Sequence, residues 1–320
     1  MSCLFSRLSF RSAVLVAAVL GGGLLAGCQA GGSERPAGEW PRPASSHYRD
    51  FESADSLSAY LRSEALPLVG AHRGGAAGAH PENALATFAQ SLTYGPALLE
   101  VDVRMSKDSV LVLMHDDTLG RTTTGSGPVR AHALSELRAL RLIAPSGDTT
   151  RFGVPTVAEA LAWAEGRAVL QLDVKEEVPR PLVTDVLRRF GALDRALVIT
   201  YALEDARWYH ERLPELLLSV SAETREEAAA HLRHVDSSRL IAFAGVGDPP
   251  QEVVDFLQGR NVPVTVGTFG ELDRRARQQG LSVYRDLLER GVGILATDQV
   301  ALASQAAETH EAGSTAEAAQ

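Results

Sequence analysis

Cysteine is nearly absent from this 320-residue chain: Cys3 and Cys28 are the only two, and both fall at the amino terminus. The region beyond Cys28 therefore holds no internal disulfide, even in a compartment that would permit one. Lysine is equally scarce, with Lys107 and Lys175 as its only members, so nearly all positive charge is carried by arginine. Basic charge is in deficit overall, at a formal net charge of −9. That balance makes nucleic acid and anionic membrane surfaces poor partners. An anionic ligand would have to be held by a local cluster of cations, and a bound metal is the simplest way to make one. Long apolar runs are also missing, apart from one at 13–26 that is short for a membrane span.

That run follows Arg7 and Arg11 and ends in Leu25-Ala26-Gly27-Cys28, which reads as a signal peptide (1–27) closing on a lipobox. Cleavage before Cys28 would leave a thiol to carry lipid, anchoring the chain to a membrane without spanning it. The cell envelope, facing the periplasm or exterior, is the expected location. Residues 28–50, rich in Gly, Ser, Pro and Ala, read as a flexible tether. From 303 to 320 no large apolar residue occurs, which predicts a disordered tail. The region between, 51–302, has the usual size of one α/β barrel.

Within it, short aliphatic and β-branched runs alternate with amphipathic stretches. Strands are predicted at 68–72, 98–103, 110–115, 168–174, 197–201, 217–221, 240–244, 262–266 and 293–296, nine candidates for the eight places of a TIM-type barrel. Helices are predicted at 83–94, 157–165, 181–190, 204–213, 225–235, 250–258 and 272–290. Thr156 followed by Glu159 makes a capping-box pattern for the second of these. Glycines and prolines in 125–150 point to an insertion over the barrel mouth. Only residues 104–109 separate the second strand from the third, too few for a crossover helix. The sequence thus predicts a barrel lacking that helix, or else a local antiparallel hairpin.

Glu100 and Asp102 lie two apart on an apolar strand, so both project from one face. Buried together they would repel each other, and a cation between them removes the objection; an edge strand exposing both to water is the alternative. The device recurs at Asp173 and Lys175, where lysine survives in a composition that elsewhere prefers arginine's wide fork. His72 and Arg73 close the first strand ahead of a glycine-rich loop, and His115 with Asp116 closes the third. Strand C-termini form the active face of a barrel, so these groups would converge on one mouth. Phosphodiester cleavage needs such a set: a base, an acid and fixed positive charge for the phosphoryl oxygens.

The ordered set His72-Arg73-Gly74, Pro81-Glu82-Asn83, Glu100-x-Asp102, His115-Asp116 with Leu119-x-Arg121-Thr122-Thr123, and Asp173-x-Lys175 resembles the signature of glycerophosphodiester phosphodiesterases. Gly153-Val154-Pro155-Thr156 and the Thr297-Asp298 pair near the end are also similar to that family. The resemblance implies a TIM barrel binding Ca2+ or Mg2+ through Glu100, Asp102 and Asp173. It further implies His72 and His115 as catalytic residues, Arg73 and Lys175 on the substrate phosphate, and supporting positions at Glu82 and Asn83, with Glu82 capping the following helix or touching ligand. The implied partner is a small phosphodiester. Three departures stand out: Asp173 replaces the usual Glu, Ala84 a common Thr, and Gly267 the aromatic expected before Thr268. The last leaves open a larger lipid diester, as for a lysophospholipase D. An inactive barrel that binds phosphodiesters in the envelope is the reading from a different class.

Overall fold

The computed structural model describes residues 47–63 and 67–318, so the expected leader, Cys28 and the tether up to residue 46 lie outside the described residues. All nine predicted strands form: β1 (Leu68–Ala71), β2 (Ala97–Met105), β3 (Leu111–Leu113), β4 (Val169–Val174), β5 (Ala196–Thr200), β6 (Leu217–Ser221), β7 (Leu240–Val246), β8 (Val264–Gly267) and β9 (Ile294–Thr297). Eight of them run parallel, and the pairing of β1 with both β2 and β9 closes the cylinder. The odd member is β3, which pairs antiparallel with β2 through Val103 and Leu113 and stays outside the ring.

The short connection at 104–109 is therefore a hairpin, and the expectation of a barrel missing one crossover helix is corrected. The turn is closed locally: Ser106 N–H donates to Val110 O at 2.9 Å, Val110 N–H donates to Ser106 Oγ at 3.0 Å, and Ser109 takes a left-handed φ of 63°. The third barrel strand is β4, and the chain reaches it through a full crossover.

The helices are α1 (Ala54–Leu61), α2 (Leu85–Ser91), α3 (Leu134–Arg138), α4 (Val157–Ala164), α5 (Arg180–Phe190), α6 (Leu203–Arg212), α7 (Arg225–Leu232), α8 (Gln251–Gln258), α9 (Glu271–Gln279), α10 (Ser282–Glu289) and α11 (Val300–Ala318). The helix predicted over 272–290 is two helices, because Gly280 adopts a φ of 86° that ends α9. The predicted disordered tail is corrected as well. Residues from 303 continue α11, with Ala303 and Ala306 fully buried. Alanine is the best helix former and lets a helix approach a sheet closely, so large apolar residues are not needed there. No helix of the described residues is long and apolar enough to cross a membrane.

Strand parity decides what fills the barrel. Leu68, Leu98, Val169, Leu197, Leu217, Ile241 and Ile294, at or near the strand starts, point inward and pack against Ala54, Leu57 and Leu61 of α1, which plugs the floor. A larger apolar cluster lies between the strands and the outer helices. The segment from β3 to Val154 carries its own small core of Val112, Met114, Leu119, Val129, Leu137, Leu142 and Val154, so the insertion begins earlier than 125. A cavity of about 230 Å3 beside Leu68, Gly95 and Ser304 opens at the floor, at the end of the barrel opposite the strand C-termini.

Thr156 caps α4 in a complete box: its hydroxyl accepts from Glu159 N–H at 3.1 Å, and the Glu159 carboxylate accepts from Thr156 N–H at 2.8 Å. Thr156→Ala should lower stability by about 1 kcal/mol. Urea unfolding of the two proteins checks this, and an unchanged midpoint would mean the box contributes nothing.

Candidate metal and phosphodiester site

Because Leu98 and Val169 face inward, residues two and four further along β2 and β4 face inward too. Glu100 and Asp102 thus stand inside the barrel, and the register of β2 with β4 sets Asp102 directly beside Asp173. Oxygens of the three carboxylates lie within 4.8 Å of one another. The Lys175 ammonium reaches across to Asp102 Oδ1 at 2.6 Å and Asp173 Oδ2 at 2.5 Å. Burial would drive that ammonium toward neutrality, but the two carboxylates win and raise its pKa. Asp102 behaves correspondingly: burial favours its neutral form, yet Lys175 and the Asn83 amide hold it below the usual carboxylate range.

Glu100 is the member left over. Burial, reinforced by Asp102, pushes its carboxyl well above the usual range, and a hydrogen bond from Arg73 N–H does not offset the push. Three oxygen donors with more negative charge than their neighbours neutralise form a set that suits a hard divalent cation.

Arg73 is placed by backbone conformation. It takes a φ of 51°, and Gly74 and Gly75 follow at 79° and 86°, a run that costs about 1 kcal/mol at the non-glycine position. A Cβ at Gly74 would lie 2.3 Å from the Phe88 ring, so glycine is required there on steric grounds too. The turn aims Arg73 N–H at Glu100 Oε2 (2.6 Å) and brings its Nε to 3.9 Å from Asp102 Oδ2. That Nε is buried without a hydrogen-bond partner.

Asn83, also left-handed (φ 58°), grips Asp102 from both ends, donating Nδ2–H to Oδ2 at 2.7 Å and accepting Asp102 N–H at 2.9 Å. Glu82 caps nothing, since the N-cap of α2 is Ala84. It instead accepts two hydrogen bonds from Arg121, at 2.8 and 2.7 Å, and pairs with Arg73 at 3.2 Å.

Each histidine has a carboxylate on Nδ1. His72 meets Asp298 Oδ1 at 2.8 Å, and His115 meets Asp116 Oδ1 at 2.7 Å. With Nδ1–H donating to a carboxylate, Nε2 is the nitrogen left for proton transfer. The supports differ. Hydrogen bonds from Arg121, which outweigh burial and are joined by the one with His115, hold Asp116 far below the usual carboxylate range. Asp298 is fixed through its backbone, whose N–H donates to Asp273 Oδ2 at 2.8 Å. Asp273 is itself held by Tyr284 and Thr297 hydroxyls, both at 2.8 Å.

The structure therefore brings His72, Arg73, Glu82, Asn83, Glu100, Asp102, His115, Asp173 and Lys175 to one region. Sequence reasoning gave no role to Asp298, Asp273, Arg121, Tyr201 or Phe269. Tyr201 donates its hydroxyl to Asp173 Oδ1 at 3.0 Å. The Phe269 ring stacks on His72 at 4.4 Å between centroids, and a Cβ at Gly267 would lie 2.9 Å from that ring. The space left by Gly267 is thus filled by an aromatic two residues later. Away from the mouth, His231 is buried on α7, and burial lowers its pKa.

A closed parallel barrel that gathers two histidines, three carboxylates, an arginine and a lysine at its strand C-termini places them on the face where barrels of this class carry their active sites. The sequence pattern of the glycerophosphoryl diester phosphodiesterase family matches residues 72–302, and the chain belongs to that family. It is similar to a glycerophosphodiester phosphodiesterase of Bacillus altitudinis, at 28% identity over 47% of this chain and 64% of that one. Similarity to the protein YqiK of Bacillus subtilis reaches 31% identity over 41% of this chain and 56% of that one. The chain thus spans less than two thirds of the length of these curated relatives. Among solved structures, a glycerophosphoryl diester phosphodiesterase from Parabacteroides distasonis superimposes with a TM-score of 0.77 at 31% identity, covering 81% of this chain and 93% of that one. A phosphodiesterase from Oleispira antarctica, in complex with the product sn-glycerol-3-phosphate, shares the fold at a TM-score of 0.58 and 22% identity, covering 80% and 99%.

If Glu100, Asp102 and Asp173 hold a divalent cation, calcium or magnesium should stabilise the wild type by about 2.7 kcal/mol at a hundredfold excess over Kd. Glu100→Gln removes one ligand and one buried repulsion together. That variant should melt no lower than wild type in chelator and should lose most of the metal-induced shift. Thermal scans with and without each cation test both halves, and an undiminished shift in the variant would exclude Glu100 as a ligand.

Proposed function

We propose that this protein hydrolyses glycerophosphodiesters to glycerol 3-phosphate and an alcohol in a reaction that depends on Ca2+ or Mg2+. The observation that carries the reading is the pair of histidines, each with Nδ1 on a carboxylate, set at the ends of β1 and β3 beside the three-carboxylate cluster. Glu100, Asp102 and Asp173 would hold the cation, which would supply positive charge toward the phosphoryl oxygens. Arg73 and Lys175 add fixed positive charge, and the unpartnered Nε of Arg73 is a donor awaiting an acceptor such as a phosphoryl oxygen.

His72 and His115 divide the proton transfers: one imidazole takes the proton of the attacking oxygen, and the other gives a proton to the alkoxide as its bond to phosphorus breaks. Asn83 holds Asp102 in place, and Glu82 ties Arg73 to Arg121. The lysophospholipase D reading loses the support of an enlarged pocket, because Phe269 fills the space beside Gly267. An inactive phosphodiester-binding barrel is disfavoured by the intact pairing of both histidines.

His72→Ala and His115→Ala should each lower turnover of glycerophosphocholine on the order of 100- to 10,000-fold. A p-nitrophenyl diester, whose leaving group needs little protonation, should rescue only the variant that lacks the acid. Near wild-type turnover of the natural diester by either variant would show that histidine to be structural.

The lipobox at Cys28 supports a lipid-anchored protein of the cell envelope. Cys28→Ser should release the protein from membranes or block its maturation, while a chain beginning near Tyr48 keeps full activity. Metabolic labelling with radioactive fatty acid reads the anchor directly, and an unlabelled wild type would end the lipoprotein proposal.

A further inference from the structure

The charged groups described above occupy one half of the barrel mouth: Arg73 follows β1, Glu100 and Asp102 lie on β2, Arg121 follows β3, and Asp173 and Lys175 end β4. The opposite arc is different in kind. The ends of β5, β6, β7 and β8 carry Tyr201, Glu223, Val246 and Phe269 in turn. Tyr201 and Val246 are 63% and 59% exposed, the two most exposed large apolar side chains among the described residues. Exposed apolar surface beside a catalytic centre is a contact surface in waiting.

Two glycines clear the way for this arc. Gly245 has a φ of 95°, and a Cβ there would come within 3.3 Å of the Glu223 carboxyl group. At Gly267 a Cβ would lie 2.9 Å from Phe269 and 3.1 Å from Val246. The register of β7 against β8 shifts between Phe243 and Val246, a bulge of the kind that re-aims side chains at strand ends. At one end of the arc Tyr201 touches Asp173, and at the other Phe269 stacks on His72, so the arc is continuous with the catalytic half.

Its charge is also distinctive. Among the described residues, the exposed Glu223 carboxylate has no hydrogen-bond or ion-pair partner. The nearest arginine in sequence, Arg225, is engaged elsewhere, over the Phe256 ring. Aromatic faces, an aliphatic wall and one uncompensated carboxylate are complementary to a methylated ammonium ion, which seeks π faces and negative charge and brings apolar methyl groups. A neutral polyol would find few hydrogen-bonding groups on this arc, and an anionic head group would be repelled by Glu223.

We infer that the β5–β8 arc is the subsite for the alcohol half of the diester, and that it selects alkylammonium alcohols of the choline class over neutral polyols. The assignment of this arc to a substrate arm rests on the phosphodiesterase reading.

The test compares glycerophosphocholine with glycerophosphoglycerol as substrates of wild type, Glu223→Gln and Glu223→Lys. Wild type should favour the choline diester in kcat/KM. Glu223→Gln should raise KM for that diester about fivefold and alter KM for glycerophosphoglycerol far less. Glu223→Lys should abolish the preference. Equal kcat/KM for the two diesters in wild type, or equal effects of Glu223→Gln on both, would overturn the proposal. Calorimetric titration with choline chloride reads the subsite without turnover. Choline should bind wild type and fail to bind Glu223→Lys. If neither diester is hydrolysed but choline binding still depends on Glu223, the phosphodiesterase reading falls and the alkylammonium site stands. Absence of choline binding to wild type removes the site itself.

Discussion

Three carboxylates inside a barrel with one ammonium between two of them is the constraint on which the rest of this mouth depends. Like charges at such separations in a poorly solvated interior cannot all persist without compensation. Lys175 satisfies Asp102 and Asp173, and Glu100 is left with a backbone N–H and a strong tendency to take a proton. Around that imbalance the chain has spent conformational freedom freely. Arg73 and Asn83 both sit in left-handed backbone, and each uses it to aim a donor at one of these carboxylates. Strain of this kind persists where surrounding contacts over-determine it.

Outside the carboxylates, the site is tied together by arginine forks. Arg121 bridges Asp116 and Glu82, and Glu82 passes the connection to Arg73, so the histidine after β3 is linked by hydrogen bonds to the loop after β1. The planar guanidinium offers fixed donor pairs to two carboxylates at once, which an ammonium cannot do. The other histidine is held by different means, an exposed aspartate fixed through its backbone and an aromatic ring on its face.

Much of this was legible in the sequence because the relevant signals are local. Alternation along apolar strands placed Glu100, Asp102 and Asp173 on one interior face, and strand ends placed His72 and Lys175 at one mouth. The direction of β3 was not legible: six intervening residues exclude a helix but fit either a return strand or a parallel one, and only the Ser106 and Ser109 turn decides. Alanine-rich helix beyond 303 was misread because small residues lack the hydrophobic contrast that periodicity needs, although their smallness is what lets α11 pack. Partners contributed by distant elements were invisible for a plainer reason. Nothing in the sequence near Asp273 or Phe269 says that the chain will fold them behind Asp298 and over His72.

The plug formed by α1 fixes which way the molecule faces. The described chain enters at the floor, where Arg49 N–H bonds to Arg167 O just ahead of β4, and α1 then seals the strand starts. Every group with chemical potential lies at the far end of the cylinder. Access to the carboxylates, the histidines and Lys175 is therefore from one direction, the end of the barrel that α1 leaves open.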